Sequence, residues 1–234
     1  MSRFSCFITG TDTDIGKTLV AATLVRMLAQ QGLRAVGMKP IAAGCVVENG
    51  ARVNADLQQL AAAGNLEIPQ QMRCQYLFDP FCAPHIAAER AGVQVELAPI
   101  VQQYQALQQQ ADAVVVEGVG GFCVPLSRQY DTADLAQRIG APVLLVVGLR
   151  LGCINHALLT QEAIRARGLQ LLGWVGNLID PLMAFPQENI ETLQQGLQAP
   201  CIGILPRLTC HVTEQPAQAA TYLNPRQLAG WPHD

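Results

Sequence analysis

Phe4-Ser5-Cys6-Phe7-Ile8-Thr9-Gly10-Thr11-Asp12-Thr13-Asp14-Ile15-Gly16-Lys17-Thr18 decides the fold, because an apolar run meets a glycine-bounded loop that closes on Gly-Lys-Thr. Phe4 to Thr9 is short and rich in strand formers, and Leu19 to Gln31 has the composition of a helix. A loop at such a strand-to-helix turn aims its backbone N–H groups at an anion, so the stretch reads as a phosphate-binding loop. Lys17 would then reach the β- and γ-phosphates of a nucleotide, and the Thr18 hydroxyl would hold Mg²⁺. The loop is a variant: the usual first glycine falls at Thr11, with Gly10 one residue earlier.

The surrounding chain agrees with a nucleotide enzyme of ordinary size. Its 234 residues lie within reach of one α/β domain, and 50% of them are apolar, enough for a large core. A net charge of −3 argues against nucleic acid or an anionic membrane as the partner. Met1-Ser2-Arg3 runs straight into the first strand, and no apolar run approaches the roughly 18 residues of a membrane span, so a cytoplasmic protein is expected. The eight cysteines form no C-x-x-C pair and are expected to be buried thiols; the four histidines show no zinc-ligand spacing.

After Gly32, Ala35 to Met38 makes a second strand with Lys39 at its carboxyl end. In open α/β sheets the ligand crevice lies outside those ends, which places Lys39 beside the phosphate loop. Residues 41–54 read as a Gly-rich loop, and Asp56 opens a helix through Ala63, either capping it or serving a metal. Pro69, Pro80 and Pro84 obscure 65–95, expected to be loop-rich with short helices, one carrying His85 as a helix-start or packing residue. Leu97 to Gln110 has helical spacing. It leads to Ala113-Val-Val-Val-Glu117-Gly-Val-Gly-Gly121, a buried parallel strand that presents a carboxylate at its tip. Then come a strand at Pro142 to Val147, a helix at Ile154 to Arg167, a strand at Leu171 to Val175, a helix at Gln187 to Leu197 and a last strand at Cys201 to Leu205. The tail from Glu214 is a short helix or a frayed end. Strands alternating with helices predict a three-layer α/β/α fold with a mostly parallel central sheet, phosphate-loop NTPase-like, as one domain over 1–234.

Over nearly its whole length the chain resembles the dethiobiotin synthetases, the ATP-dependent carboxylases of biotin synthesis. The anchors are Gly10 to Thr18, Lys39-Pro-Ile-Ala-Ala-Gly44, Pro84-His85, Val116-Glu-Gly-Val-Gly-Gly121, Gly148-Leu-Arg-Leu-Gly-Cys-Ile-Asn-His-Ala157 and Gly173-Trp-Val-Gly-Asn177. The resemblance implies that 7,8-diaminopelargonate, CO₂ and ATP give dethiobiotin, ADP and phosphate. It implies Lys17 and Lys39 as catalytic residues, with Lys39 facing a substrate carbamate. Thr18, Asp56 and Glu117 would surround Mg²⁺. ATP would lie along Asp14, Ile15, Gly16, Lys17, Thr18 and Leu19, with Asp56, Glu117, Gly118, Val119 and Gly120, and its adenine at Asn177, Leu178, Pro206, Arg207 and Leu208. The diamine would meet Lys39 and Ala43, and its carboxylate Arg150, Leu151, Gly152, Cys153 and Asn155, where a helix start favours an anion. The resemblance also implies a homodimer with composite active sites, with apolar residues around Cys153 to Leu159 buried between the subunits.

Two positions depart from the family: Ala43 stands where serine is frequent, and Asn189 where some members carry a tyrosine. A partitioning-type ATPase would need a second lysine near the loop start, where this chain has Asp12. A cobyrinic-acid-type amidating enzyme would need a glutaminase domain for which there is no room. A non-catalytic, regulatory relative stays open.

Overall fold

The computed structural model describes residues 4–48 and 50–232. In chain order the elements are β1 (Phe4–Gly10), α1 (Lys17–Gln30), β2 (Ala35–Met38), β3 (Ile41–Ala43), β4 (Val46–Glu48), β5 (Ala51–Val53), α2 (Ala55–Ala63), α3 (Gln70–Arg73), β6 (Tyr76–Phe78) and α4 (Pro84–Arg90). There follow α5 (Leu97–Gln110), β7 (Ala113–Glu117), α6 (Thr132–Ile139), β8 (Val143–Leu149), α7 (Cys153–Ala166), β9 (Leu171–Leu178), α8 (Pro186–Gly196), β10 (Cys201–Leu205) and α9 (Gln215–Ala220).

The main sheet has six strands in the order β10-β9-β8-β1-β7-β2, and every pairing is parallel. Alternation along the strands divides the core. Cys6, Ile8, Val115 and Val146 face the layer containing α1, while Phe7, Val114, Val116 and Val143 face α5 and α6. Leu145 and Val147 face α7 and α8. Three layers result, as the sequence predicts. β1 lies between β7, which precedes the crossover, and β8, which follows it, so the switch in strand order falls at the phosphate loop.

Several local expectations are corrected. α1 begins at Lys17, two residues before the predicted start, and 41–54 is not a plain loop. Its β3 pairs with β6 in parallel, and β4 and β5 form an exposed antiparallel hairpin. The N-cap of α2 is Asn54, whose side chain accepts from Leu57 N, so Asp56 sits in the first turn instead of capping. Residues 65–95 contain α3, β6 and α4, with the strand unforeseen. α6 escaped the sequence entirely. It is short, yet its buried residues Thr132, Ala133, Leu135, Ala136 and Ile139 recur at helical spacing, and a second signal is the Asp131/Asp134 capping box, which Arg167 braces at 2.5–2.8 Å.

The tail is held down, not frayed: the Trp231 and Phe4 rings meet edge-on, their centroids 5.1 Å apart. Gly203 lets the tail approach β10, since a Cβ there would stand 2.2 Å from the Tyr222 carbonyl oxygen, a backbone atom that cannot step aside. Gly203→Ala is therefore expected to cost about 1–3 kcal/mol, read as a lowered Tm in calorimetry; an unchanged Tm would show the tail contributes nothing there. Among the described residues, no helix is long and apolar enough to cross a membrane, and all eight cysteines are free. Only Cys6, Cys74 and Cys153 are fully buried, which corrects the expectation for the others; Cys123 is exposed. Burial pushes the Cys6 and Cys74 thiols up to about 12.

Candidate active site

Sheet topology brings three sequence-distant segments to one crevice: the loop after β1, the residue after β2, and the last residue of β7. In the loop, Asp14 and Gly16 both adopt left-handed backbone, at φ 56° and 91°. Alternation of hand in successive residues turns neighbouring N–H groups inward, which is how a chain makes an anion cradle. Only glycine fits position 16, where a Cβ would stand within 2.4 Å of the Asn177 amide nitrogen. Asn177 also donates to the Ile15 carbonyl at 2.9 Å, so β9 supports the loop from behind.

Lys17 is buried and its ammonium donates to the Asp12 carbonyl at 2.6 Å. Burial pulls its pKa down to about 8, against the pull of Glu117 in the other direction. Thr18 Oγ1 donates to Glu117 Oε1 at 2.7 Å. Lys39 Nζ lies between two carboxylates, 2.5 Å from Asp56 Oδ2 and 2.8 Å from Glu117 Oε1. Burial lowers the Lys39 pKa, but Glu117 and Asp56 together outweigh it and hold it above the usual lysine value. The two lysines are thus shifted in opposite directions, and an anion arriving at Lys17 would offset the cost of its burial. Glu117 is 1% exposed, and its Oε2 has no hydrogen-bond partner.

These groups line a cavity of about 660 Å³. Of the sequence-predicted residues it collects Asp14, Gly16, Lys17, Thr18, Leu19, Lys39, Ala43, Asp56, Glu117, Val119 and Gly120. It also takes in Thr13, Gln59, Phe81, Cys82, Ala83, Pro84, Val124 and Gln215, none of which was singled out as a site residue. The nearest signal for that wall was the Pro84-His85 pair; Gln59 follows Asp56 by one helical turn and lies on the same face.

The remaining predicted residues lie elsewhere. Ile15 is in the core, and Gly118 N donates to the Ile8 carbonyl. Asn177 and Leu178 end β9 behind the loop, Arg207 is exposed, and Leu208 packs against the core on the α1 side, after Pro206. Arg150, Leu151, Gly152, Cys153 and Asn155 do not line the cavity of their own chain. Arg150 instead pairs with Asp12 at 2.5 Å, and Gly148 N donates to Thr11 Oγ1. Gly152 turns into α7 at φ 93°. Cys153 and Ala157 are already buried in their own chain, so the exposed apolar side chains of this corner are Leu151 and Leu159, at 90% and 56%. Asn155 is exposed, and Asn189 donates to the Phe185 carbonyl on an exposed face.

Comparison with known proteins gives a consistent picture. A family profile described as an AAA domain matches residues 5–215. An ATP-dependent dethiobiotin synthetase of Ralstonia nicotianae is 54% identical over 206 residues, 88% of this chain and 90% of the relative. One from Janthinobacterium sp. (strain Marseille) is 48% identical over 235 aligned residues, 99% of this chain and 98% of the relative. Among solved structures, a ParA family ATPase from Chlorobium tepidum superposes with TM-score 0.56 at 9% identity, covering 94% of this chain and 91% of its own. The septum site-determining protein MinD of Pyrococcus horikoshii, solved with Mg-ADP, gives 0.53 at 16%, covering 88% and 82%. At those identities the likeness is one of fold: the phosphate-loop NTPase architecture.

Proposed function

The chain belongs to the ATP-dependent dethiobiotin synthetase family, and from that premise we propose how its residues divide the reaction. The activity is that of an ATP-dependent cyclo-ligase: 7,8-diaminopelargonate, CO₂ and ATP become dethiobiotin, ADP and phosphate. One substrate amine captures CO₂ as a carbamate, a carbamate oxygen attacks the γ-phosphorus, and the second amine closes the ureido ring by displacing phosphate. Carbamate and triphosphate are both anions, so the protein must supply cations where they meet.

The observation that carries the assignment is the contact of Lys39 with both Asp56 and Glu117 at the wall of the cavity that Lys17 and Thr18 also line. Lys39, held charged by its two carboxylates, faces the carbamate and the charge that develops on phosphoryl transfer. Lys17 exchanges the Asp12 carbonyl for phosphate oxygens. Asp14 to Leu19 cradle the triphosphate, with Gly118, Val119 and Gly120 opposite; Asn177, Leu178 and Pro206 to Leu208 take the adenine.

Thr18, Asp56 and Glu117 suit Mg²⁺. The donors are all oxygen, only two are acids, and the buried Glu117 Oε2 has no hydrogen-bond partner. Mg²⁺ prefers such a sparse protein set, completing its shell with phosphate oxygens and water. Bound there, it would spread the charge of the triphosphate.

Ala43, Phe81 and Pro84 form the apolar side of the cavity for the diamine chain. Arg150 to Asn155 bind its carboxylate from the partner subunit of a homodimer, a reading supported by their position off the chain's own cavity and by the exposed Leu151 and Leu159. Free thiols suit a cytoplasmic setting, and we treat 1–234 as one ATP-binding domain. The partitioning-type alternative is not favoured, because Asp12 is committed to Arg150 where a lysine would be required.

The test is purified protein with Mg-ATP, bicarbonate and diaminopelargonate, reading dethiobiotin by mass. ADP release is expected to require both diamine and CO₂. Equal ATP hydrolysis with and without the diamine, and no dethiobiotin, would overturn the assignment and favour a regulatory relative. Ala43→Ser, which returns a hydroxyl to the cavity wall, is expected to lower the KM for the diamine about threefold to tenfold, the worth of one neutral hydrogen bond. An unchanged KM would mean that another group already makes that contact.

A further inference from the structure

Asn54 is a buried polar residue, 5% exposed, that is not among the residues lining the cavity, yet both its amide oxygen and its amide nitrogen are hydrogen-bonded. Its Oδ1 accepts from Leu57 N at 3.2 Å, capping α2. Its Nδ2 donates to the carbonyls of Ala43 and Gly44, at 3.3 and 3.0 Å. The cap needs only an acceptor; the two donor bonds serve something else.

What they close is a ring. Lys39 leads along the chain to Ala43, whose carbonyl is bonded to Asn54. Asn54 leads through the first turn of α2 to Asp56, and Asp56 returns to Lys39 by the 2.5 Å ion pair. Lys39, Ala43 and Asp56 all line the cavity. The exposed β4–β5 hairpin between Gly44 and Asn54 is thereby pinched off at its base.

We propose that Asn54 is a positioning residue that couples the nucleotide half of the site to the diamine half, by tying the Asp56 end of α2 to the Ala43 wall. The inference rests on the functional reading above. A Mg-nucleotide that draws on Asp56 sets the position of α2, and through the two Nδ2 bonds it sets the wall the diamine meets. Each ligand then binds more tightly in the presence of the other, by the same factor in both directions.

The experiment is calorimetric titration of diaminopelargonate into the full chain, with and without Mg²⁺ and β,γ-methylene-ATP. Wild type is expected to show about tenfold tighter diamine binding with the nucleotide present. Asn54→Ser keeps a capping acceptor but replaces the two amide N–H donors with a single hydroxyl on a shorter stem, which cannot cap α2 and hold both carbonyls at once, so its Tm should stay near wild type while the coupling falls to within about twofold of unity. Asn54→Ala should lose the coupling and also lower Tm. A folded Asn54→Ser that retains wild-type coupling would overturn the proposal, as would equal weakening of both ligands with their coupling intact, the mark of a merely structural cap. No coupling in wild type would overturn it as well, with the synthetase reading untouched so long as dethiobiotin is formed. A wild type that binds neither ligand would remove that reading too.

Discussion

Lys39→Ala is expected to lower turnover by on the order of 10²-fold or more, because a cation aimed at developing charge in a water-poor site is worth a few kcal/mol. The substitution does more than delete a charge. Asp56 and the buried Glu117, now joined through the Lys39 ammonium at 2.5 and 2.8 Å, would be left without it. The carbamate would then meet those two carboxylates with only the metal to offset them, and without the cation that is there to receive it. ATP affinity should fall less, since Lys17 and the loop N–H groups are untouched. Removing one partner of a buried pair also costs about 3–5 kcal/mol of stability, so Tm must be followed, and Lys39→Met, which keeps the stem packed, serves as the second variant. Turnover like wild type in a folded variant would make Lys39 a structural counter-ion only.

Mixing Lys17→Ala with a variant altered at Asn155 is expected to restore activity from near zero to about a quarter of wild type after subunit exchange. With both chains in equal amount, about half the dimers are mixed, and in each of these one of the two sites carries neither lesion. The expectation follows from where the two residues lie. Lys17 lines the cavity of its own chain, whereas Asn155 is exposed on the first turn of α7 and does not reach that cavity. Leu151 and Leu159 beside it present apolar surface that a C₂ contact would cover. No recovery despite proven exchange, or a monomeric mass in solution, would count decisively against shared sites. Recovery requires the Asn155 substitution to spare Arg150, whose pairing with Asp12 belongs to the chain's own phosphate loop.

What the residues determined by themselves is whatever depends on near neighbours. Gly16-Lys17-Thr18 after a strand, the β-branched run into Glu117 and the position of Lys39 after Met38 are patterns of adjacent residues, and local sterics and periodicity suffice to read them. The strand order that sets β1 between β7 and β8 is another matter. It brings Thr18 and Glu117, 99 residues apart, to 2.7 Å, and that contact follows from which strands bury which faces against which helices. For the same reason Gln59, Phe81 and Gln215 were invisible as site residues: each is unremarkable among its sequence neighbours and gains its place only when α2, the segment before α4 and the start of α9 converge on the first turn of α1 or the wall facing it. The pairing of Lys39 with two carboxylates, which raises its pKa while burial brings Lys17 down to about 8, is likewise a tertiary property. Burial and the distance between charges decide it, and neither is a quantity that a single stretch of chain possesses.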